Sequence, residues 1–178
     1  MDRFAACAET VMTRRGAFLA DDPVVDGPSA HGIGLGLYSA WIGGPADATA
    51  LRGLPRSEAA RILRAMVWSP LGAGQLPPGP DLALLAFALE AGTIRALAEL
   101  QRILGVAPSG APDAATGAAA RAASPVALAQ AITRAHAAWR DARHLPGPAA
   151  PPTPRRRVPR AISDRMEPSG RISCSITY

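Results

Sequence analysis

The 178-residue chain has room for one compact domain and some additional unfolded sequence, but not for a second full domain. Its formal charge of +5 is unevenly placed: residues 1–144 carry 13 arginines against 12 acidic side chains, and residues 145–178 carry six arginines against Asp164 and Glu167. A near-neutral body with a basic tail argues against a nucleic-acid-binding fold, in which the excess is spread over a folded face.

Every basic residue is arginine and lysine is absent, which reads as codon bias and carries no chemistry. Two cysteines, Cys7 and Cys174, do not make a disulfide framework, and no Cys/His spacing resembles a zinc site. Cys7 reads as a buried helical thiol, and no metal or cofactor is expected. With no N-terminal apolar segment and no run of 18 apolar residues, the expectation is a soluble protein without a signal peptide or membrane span.

In chain order, residues 3–15 form an amphipathic helix with Phe4, Cys7, Ala8, Val11 and Met12 on one stripe and Asp2 as its cap. It stops at Gly16. The stretch 17–32 is rich in Asp, Pro and Gly without helical period, which predicts an ordered loop or a short irregular hairpin. A short helix over 35–42 presents Leu37, Tyr38 and Trp41, and another runs from Pro55 to Val67 with Ile62, Leu63, Met66 and Val67 facing inward and Trp68 closing it.

Beyond the Pro/Gly segment 69–80, the apolar helix 81–91 carries Leu82, Leu85 and Leu89 at buried spacing and is expected to be central. Thr93 is placed to cap a helix whose stripe is Ile94, Leu97, Leu100 and Leu104, stopped by Gly105. An alanine-rich helix follows over 113–122. Ser124 and Pro125 then start a last helix to about Arg143, with Leu128, Ile132, Ala135 and Trp139 as its apolar face. From residue 144 onward proline-rich sequence predicts an extended arm, and the final "RISCSITY" alternates Ile172, Cys174, Ile176 and Tyr178 at the period of a strand that would need a partner.

The order of these features resembles a known family. Its opening reads approximately E-G-G-Y-V-N-D-P-x-D-x-G-G-x-T-x-x-G-I-T-x-x-x-Y-x-x-W. Here Arg15, Gly16, Ala17, Phe18, Leu19, Ala20, Asp21 and Asp22 stand in register with it without a gap, followed by Gly27, Ser29, Gly32, Ile33, Tyr38 and Trp41. Downstream, "AARILRAMVWSPLGAGQLPPGPDLALLAFALEAG" is similar to the family's Tyr-Trp segment and the buried helix ending Val-Asn-x-Gly. "LAELQRILGVAPSGAPDAAT" is similar to W-L-Q-R-x-L-G-V followed by D-G-x-x-G-P-x-T. Over residues 1 to about 143 the chain thus resembles the N-acetylmuramidases of glycoside hydrolase family 108, phage-type endolysins and secretion-activator proteins, with their small peptidoglycan-binding-like helical unit.

The resemblance implies a mostly α, lysozyme-like helical domain. Residues 1–105 would be the muramidase-like core, 106–143 the peptidoglycan-binding-like unit packed on it, and 144–178 the arm. It also implies that the Glu opening the motif is the general acid, the group that hands a proton to the leaving oxygen. Arg15 stands there, and a guanidinium keeps its proton at any relevant pH. The family's Asn is Ala20, its Pro is Asp22, its Thr is Ser29, and the Asn of its central helix is Glu90; in the second unit its Asp is Ser109 and its Gly-Pro turn is Pro112–Asp113.

These departures predict a catalytically inactive relative with no catalytic residue of its own. Arg15 would grip a carboxylate or sugar hydroxyls, or pair with Asp21 or Asp22. A glycan would meet Arg15, Asp21, Asp22, Ser29, His31 and Tyr38. His31 reads equally as a solvent-facing or loop-bracing residue, Tyr38 and Trp41 as core, and His136 and Trp139 as packing and surface.

An Asp21, Asp22, Asp26 and His31 metal site lacks the alternating ligands of a calcium loop. The alternative is an active peptidoglycan hydrolase using Asp21, Asp22 or a shifted Glu9 as acid, although Glu9 lies nearly two turns upstream of Arg15.

The setting expected from the family is a phage, prophage or gene transfer agent particle. The chain would be made in the bacterial cytoplasm and leave by lysis or inside the particle, as part of an oligomeric assembly. Arg155, Arg156 and Arg157, with Ile172, Ile176 and Tyr178, would dock the arm on a capsid or tail protein; cell-envelope glycan is the other expected partner. Nucleic acid is not expected, because no aromatic residues interleave the arginines.

Overall fold

The computed structural model describes residues 2–145. Helix α1 (Arg3–Arg15) starts where the Asp2 carboxylate accepts the Phe4 N–H at 3.1 Å and ends at Gly16, whose φ of 80° few other residues adopt. Its five predicted apolar residues are all buried. The Asp/Pro/Gly stretch is a hairpin: β1 (Leu19–Asp22) pairs antiparallel with β2 (Gly27–Ala30), and β2 with the short β3 (Ile33–Gly34). Asp22 starts the turn, its carboxylate accepting Val24 N–H and its carbonyl Val25 N–H, both at 3.1 Å.

Helices α2 (Leu35–Ile42) and α3 (Ala48–Arg52) follow. The second is an element that sequence periodicity did not predict; five residues are too few for a period, and Asp47 caps it at 2.7 Å to Ala50 N–H. Helix α4 (Arg56–Ile62) runs into a π-helical turn over Leu63–Trp68, so the single predicted helix over this stretch changes its winding partway. The extra residue per turn brings Leu63, Val67 and Trp68 all inward. Trp68 meets Phe4 edge-on at 5.5 Å, joining this turn to α1.

Helix α5 (Pro80–Ala91) is central, packing against α1, the π-helical turn, α6 (Thr93–Leu104) and α8 (Pro125–Ala142). Beyond its first turn it buries Leu84, Leu85, Phe87 and Ala88, with Leu82 and Leu89 only partly covered. A helix covered on several sides has no single stripe, which is why the Leu82–Leu85–Leu89 spacing found Leu85 and two partly covered residues but not Leu84, Phe87 and Ala88. At its start the Asp81 carboxylate is fully buried, accepts Gly79 and Leu82 N–H at 2.9 and 2.8 Å, and pairs with Arg3 of α1.

Two expectations for α6 are corrected. Thr93 is its first helical residue and makes no capping bond, and Ile94 is 72% exposed, while Ala96, Leu97, Leu100 and the amide Gln101 are buried. Gln101 faces inward because it organises the next turn: its Nε2 donates to Ser109 Oγ and Ala111 O at 2.9 Å and Thr116 Oγ1 at 3.1 Å, and its Oε1 accepts Gly110 N–H at 2.9 Å. Gly105 ends α6 in the left-handed conformation. Helix α7 (Ala114–Ala122) is capped by Asp113, and α8 starts at Ser124 and Pro125 and buries Leu128 and Ile132. The arm, with Arg155, Arg156, Arg157, Ile172, Cys174, Ile176 and Tyr178, lies outside the described residues.

Candidate functional site

Arg15 is the last residue of α1, and the chain immediately turns into the hairpin. Its side chain lies beneath Gly32, between β2 and β3: a Cβ at position 32 would fall 2.9 Å from Arg15 Cγ and 2.8 Å from Leu89 Cδ2. Position 32 must therefore be glycine, both for space and for its φ of 85°. Backbone bonds from His31 N–H to the carbonyls of Gly16 and Ala17, at 3.0 and 3.2 Å, bind the hairpin to the end of the helix.

The guanidinium is shared between two carboxylates. Nη2 donates to Asp22 Oδ2 at 2.5 Å and Nη1 to Glu90 Oε1 at 3.1 Å. Asp22 is buried and also accepts the Ser29 hydroxyl at 2.7 Å, so the first half of the motif closes on itself. Glu90, in the last turn of α5, is gripped on its other oxygen by α8: His136 Nε2 lies 2.8 Å from Oε2, and Arg140 pairs with the same atom. His136 is held in turn by stacking on Phe87, with centroids 4.9 Å apart.

Side-chain exposures of 15% for Arg15, 2% for Asp22, 8% for Glu90 and 8% for Arg140 place the array largely out of water. There, loss of one partner costs about 3–5 kcal/mol, because the other charge is left buried. Burial by itself raises the proton affinity of Glu90. The His136 hydrogen bond and the charges of His136, Arg140 and Arg15 outweigh it and hold the carboxyl below its ordinary range. An ionised carboxylate so held accepts hydrogen bonds but does not donate a proton.

Of the other predicted residues, Asp21 is exposed on β1 and Tyr38 half-buried on α2. His31 is buried with a φ of 54°, and burial together with the nearby Arg56 charge lowers its pKa, so it braces the loop and does not face solvent. Trp41 donates to Glu58 at 2.7 Å. Glu9 is exposed on α1, paired with Arg56 at 2.7 Å.

Trp139 is part of the packing against Phe87, not a surface residue. Among the described residues no three His, Cys, Asp or Glu side chains converge as a metal site requires. Beside the array the hairpin, the start of α2 and Leu89 enclose a hollow of about 240 Å³, lined by Val25, Asp26, Gly27, Pro28, Gly32, Gly34, Leu35, Gly36 and Leu37. Sequence reasoning flagged Arg15 and Glu90 separately and missed Arg140 altogether; the i, i+4 spacing of His136 and Arg140, which puts both on one face of α8, was the available signal.

A helical body with a small three-stranded hairpin sheet at the end of its first helix is the lysozyme-like arrangement, and residues 8–92 match the family model Glycosyl hydrolase 108. The chain is also similar to the solved structure of Brucella abortus SagA, with 31% identity and a TM-score of 0.71 over 78% of this chain and 79% of that one. The chain belongs to the glycosyl hydrolase 108 family. No curated protein matches it.

Proposed function

We propose that this family member no longer hydrolyses peptidoglycan and serves as a glycan-binding or structural component of a phage-like particle, with its C-terminal arm docked on a capsid or tail protein. The observation that carries the first part is Arg15. It occupies the place of the expected general acid and is tied into Asp22 and Glu90, so a glycosidic oxygen arriving there meets a permanent cation.

The candidate replacements other than Asp21, which is exposed on β1, are poorly suited. Asp22 is buried in an ion pair, Glu90 is held ionised by the His136 hydrogen bond and the charges around it, and Glu9 is bonded to Arg56. The 240 Å³ hollow beside Gly32 and Leu89 is where this reading seats a glycan, with Asp26 as the charged side chain in its lining.

The test is release of soluble muropeptides from purified peptidoglycan, with co-sedimentation on the same insoluble material. No release and measurable co-sedimentation are expected. Release by the unaltered protein overturns the inactive reading. The particle role is tested by deleting residues 145–178, which should leave the body folded but absent from particles; a truncation incorporated as well as the full chain overturns it.

A further inference from the structure

Arg15 does not choose its own position. Asp22 alone would hold one Nη and leave the guanidinium free to swing about that bond; the second anchor, Glu90 Oε1 at 3.1 Å, fixes its rotation and depth. Glu90 is itself constrained, since turning its carboxylate toward or away from Arg15 would break the bonds that His136 and Arg140 make to Oε2.

His136 in turn is set by its stack on Phe87 of α5. The chain of constraints therefore runs from α8 through Glu90 to the last residue of α1. Packing alone does not call for it: Leu128 and Ile132 already bury α8 against the body, and apolar groups at 136 and 140 would pack there without desolvating charge. Both residues lie beyond the stretch 8–92 that matches the family model.

We propose that Glu90, held by His136 and Arg140 of α8, is the positioning residue for Arg15, so that the last helix sets the direction and charge of what the cleft presents to a glycan. The proposal rests on the reading of Arg15 as a glycan contact. Its ligand is a carboxylate or hydroxyl of the peptidoglycan glycan.

The experiment pairs co-sedimentation on insoluble peptidoglycan with a thermal mutant cycle on the full chain. Arg140→Gln and His136→Leu are expected to weaken retention about tenfold, a loss of about 1.4 kcal/mol. Adding Arg15→Gln should then weaken it no further, while His136→Gln, which can still donate to Glu90, keeps native retention.

In melting, Arg15→Gln and Arg140→Gln should be non-additive by about 3 °C or more and become additive in a Glu90→Gln background, a difference that simple packing does not produce. If Arg140→Gln does not fold, Arg140→Lys takes its place, with a smaller coupling of the same sign. Native retention in both α8 variants, or additivity in the presence of Glu90, overturns the proposal. If the unaltered protein does not co-sediment, the glycan reading falls, and the melting cycle still decides whether Glu90 couples α8 to Arg15.

Discussion

The direct attempt to restore an acid, Arg15→Glu, should fail for an electrostatic reason. The new carboxylate would replace a cation that lies 2.5 Å from Asp22 and 3.1 Å from Glu90, putting three carboxylates in one largely buried array. Two like charges about 4 Å apart repel by about 4 kcal/mol at an effective dielectric of about 20, and removing the cation from a buried pair costs about 3–5 kcal/mol on its own. Proton uptake relieves part of this, at about 1.4 kcal/mol per unit of pKa shift, and Arg140 and His136 remain to neutralise Glu90.

A net loss of about 3–5 kcal/mol corresponds to a fall in Tm of roughly 6–20 °C for a chain of this size. Exchanging Asp22 as well, in Arg15→Glu/Asp22→Asn, removes one of the three charges without unpairing Arg140 and should recover about half of the fall. The assay is thermal unfolding at pH 7 and pH 5. Crowded carboxyls take up protons more readily than isolated ones, so acidification should narrow the gap between Arg15→Glu and the native protein. A single variant that melts within about 2 °C of native at pH 7, against the several degrees expected, or a gap that widens at pH 5, refutes the argument. Muropeptide release should therefore be assayed with the double variant, because silence from the single one would report a disturbed array.

Gly32→Ala should destabilise by about 1–3 kcal/mol, because its methyl would press on Arg15 and Leu89; an unchanged urea midpoint contradicts the packing described. Gln101→Leu should cost a similar amount, about 1–3 kcal/mol, by leaving Gly110 N–H without its acceptor and taking one of two donors from Ala111 O, and amide exchange at Gly110 should accelerate.

On acidification stability should fall in two stages. His31, whose folded pKa is lowered by burial, favours unfolding once the pH drops below the ordinary 6.5. Glu90, also lowered, loses its contribution below its ordinary 4.5 as the pH falls through its folded value. His31→Asn, which tolerates the φ of 54°, should remove the upper stage, and Glu90→Gln the lower; urea midpoints between pH 7 and pH 3 that keep both stages refute the assignment. Cys7, with its pKa pushed up to about 11 by burial and the neighbouring Asp81, should resist a thiol reagent at pH 8 in a Cys174→Ser background until the protein unfolds; prompt labelling would show an open core.

What could be read from the chain beforehand is what short-range chemistry encodes. Asp2, Gly16, Gly105, Ser124 and Pro125 act on residues within a turn of themselves, and the helices they delimit were legible to a residue or two. The α1 stripe was legible because only one side of that helix is covered. The faces of α5 and α6 were legible only in part. One is apolar almost all round, and the other turns Gln101 inward to satisfy backbone groups of a loop, a demand that hydrophobic spacing cannot express. The π-helical turn over 63–68 escaped for a similar reason, since its extra residue is absorbed by packing of Trp68 on Phe4.

The site shows the same division in sharper form. Arg15 and Glu90 each stand out as departures from the family pattern, but separately, because they are 75 positions apart in the chain. In space they are two ends of one ion pair, and the resemblance places a carboxyl at the first position and a neutral amide at the second. A lone arginine at the first position would have faced Asp22 with one Nη unpaired in a largely buried place. A lone glutamate at the second would have added charge beside Asp22 with only α8 to balance it.

Together each supplies what the other lacks, and from α8 Arg140 adds the second cation and His136 a hydrogen bond. The physical cost of either change alone makes the pair the meaningful unit. That is why no reading of position 15 by itself, and no single substitution there, can report what this cleft does.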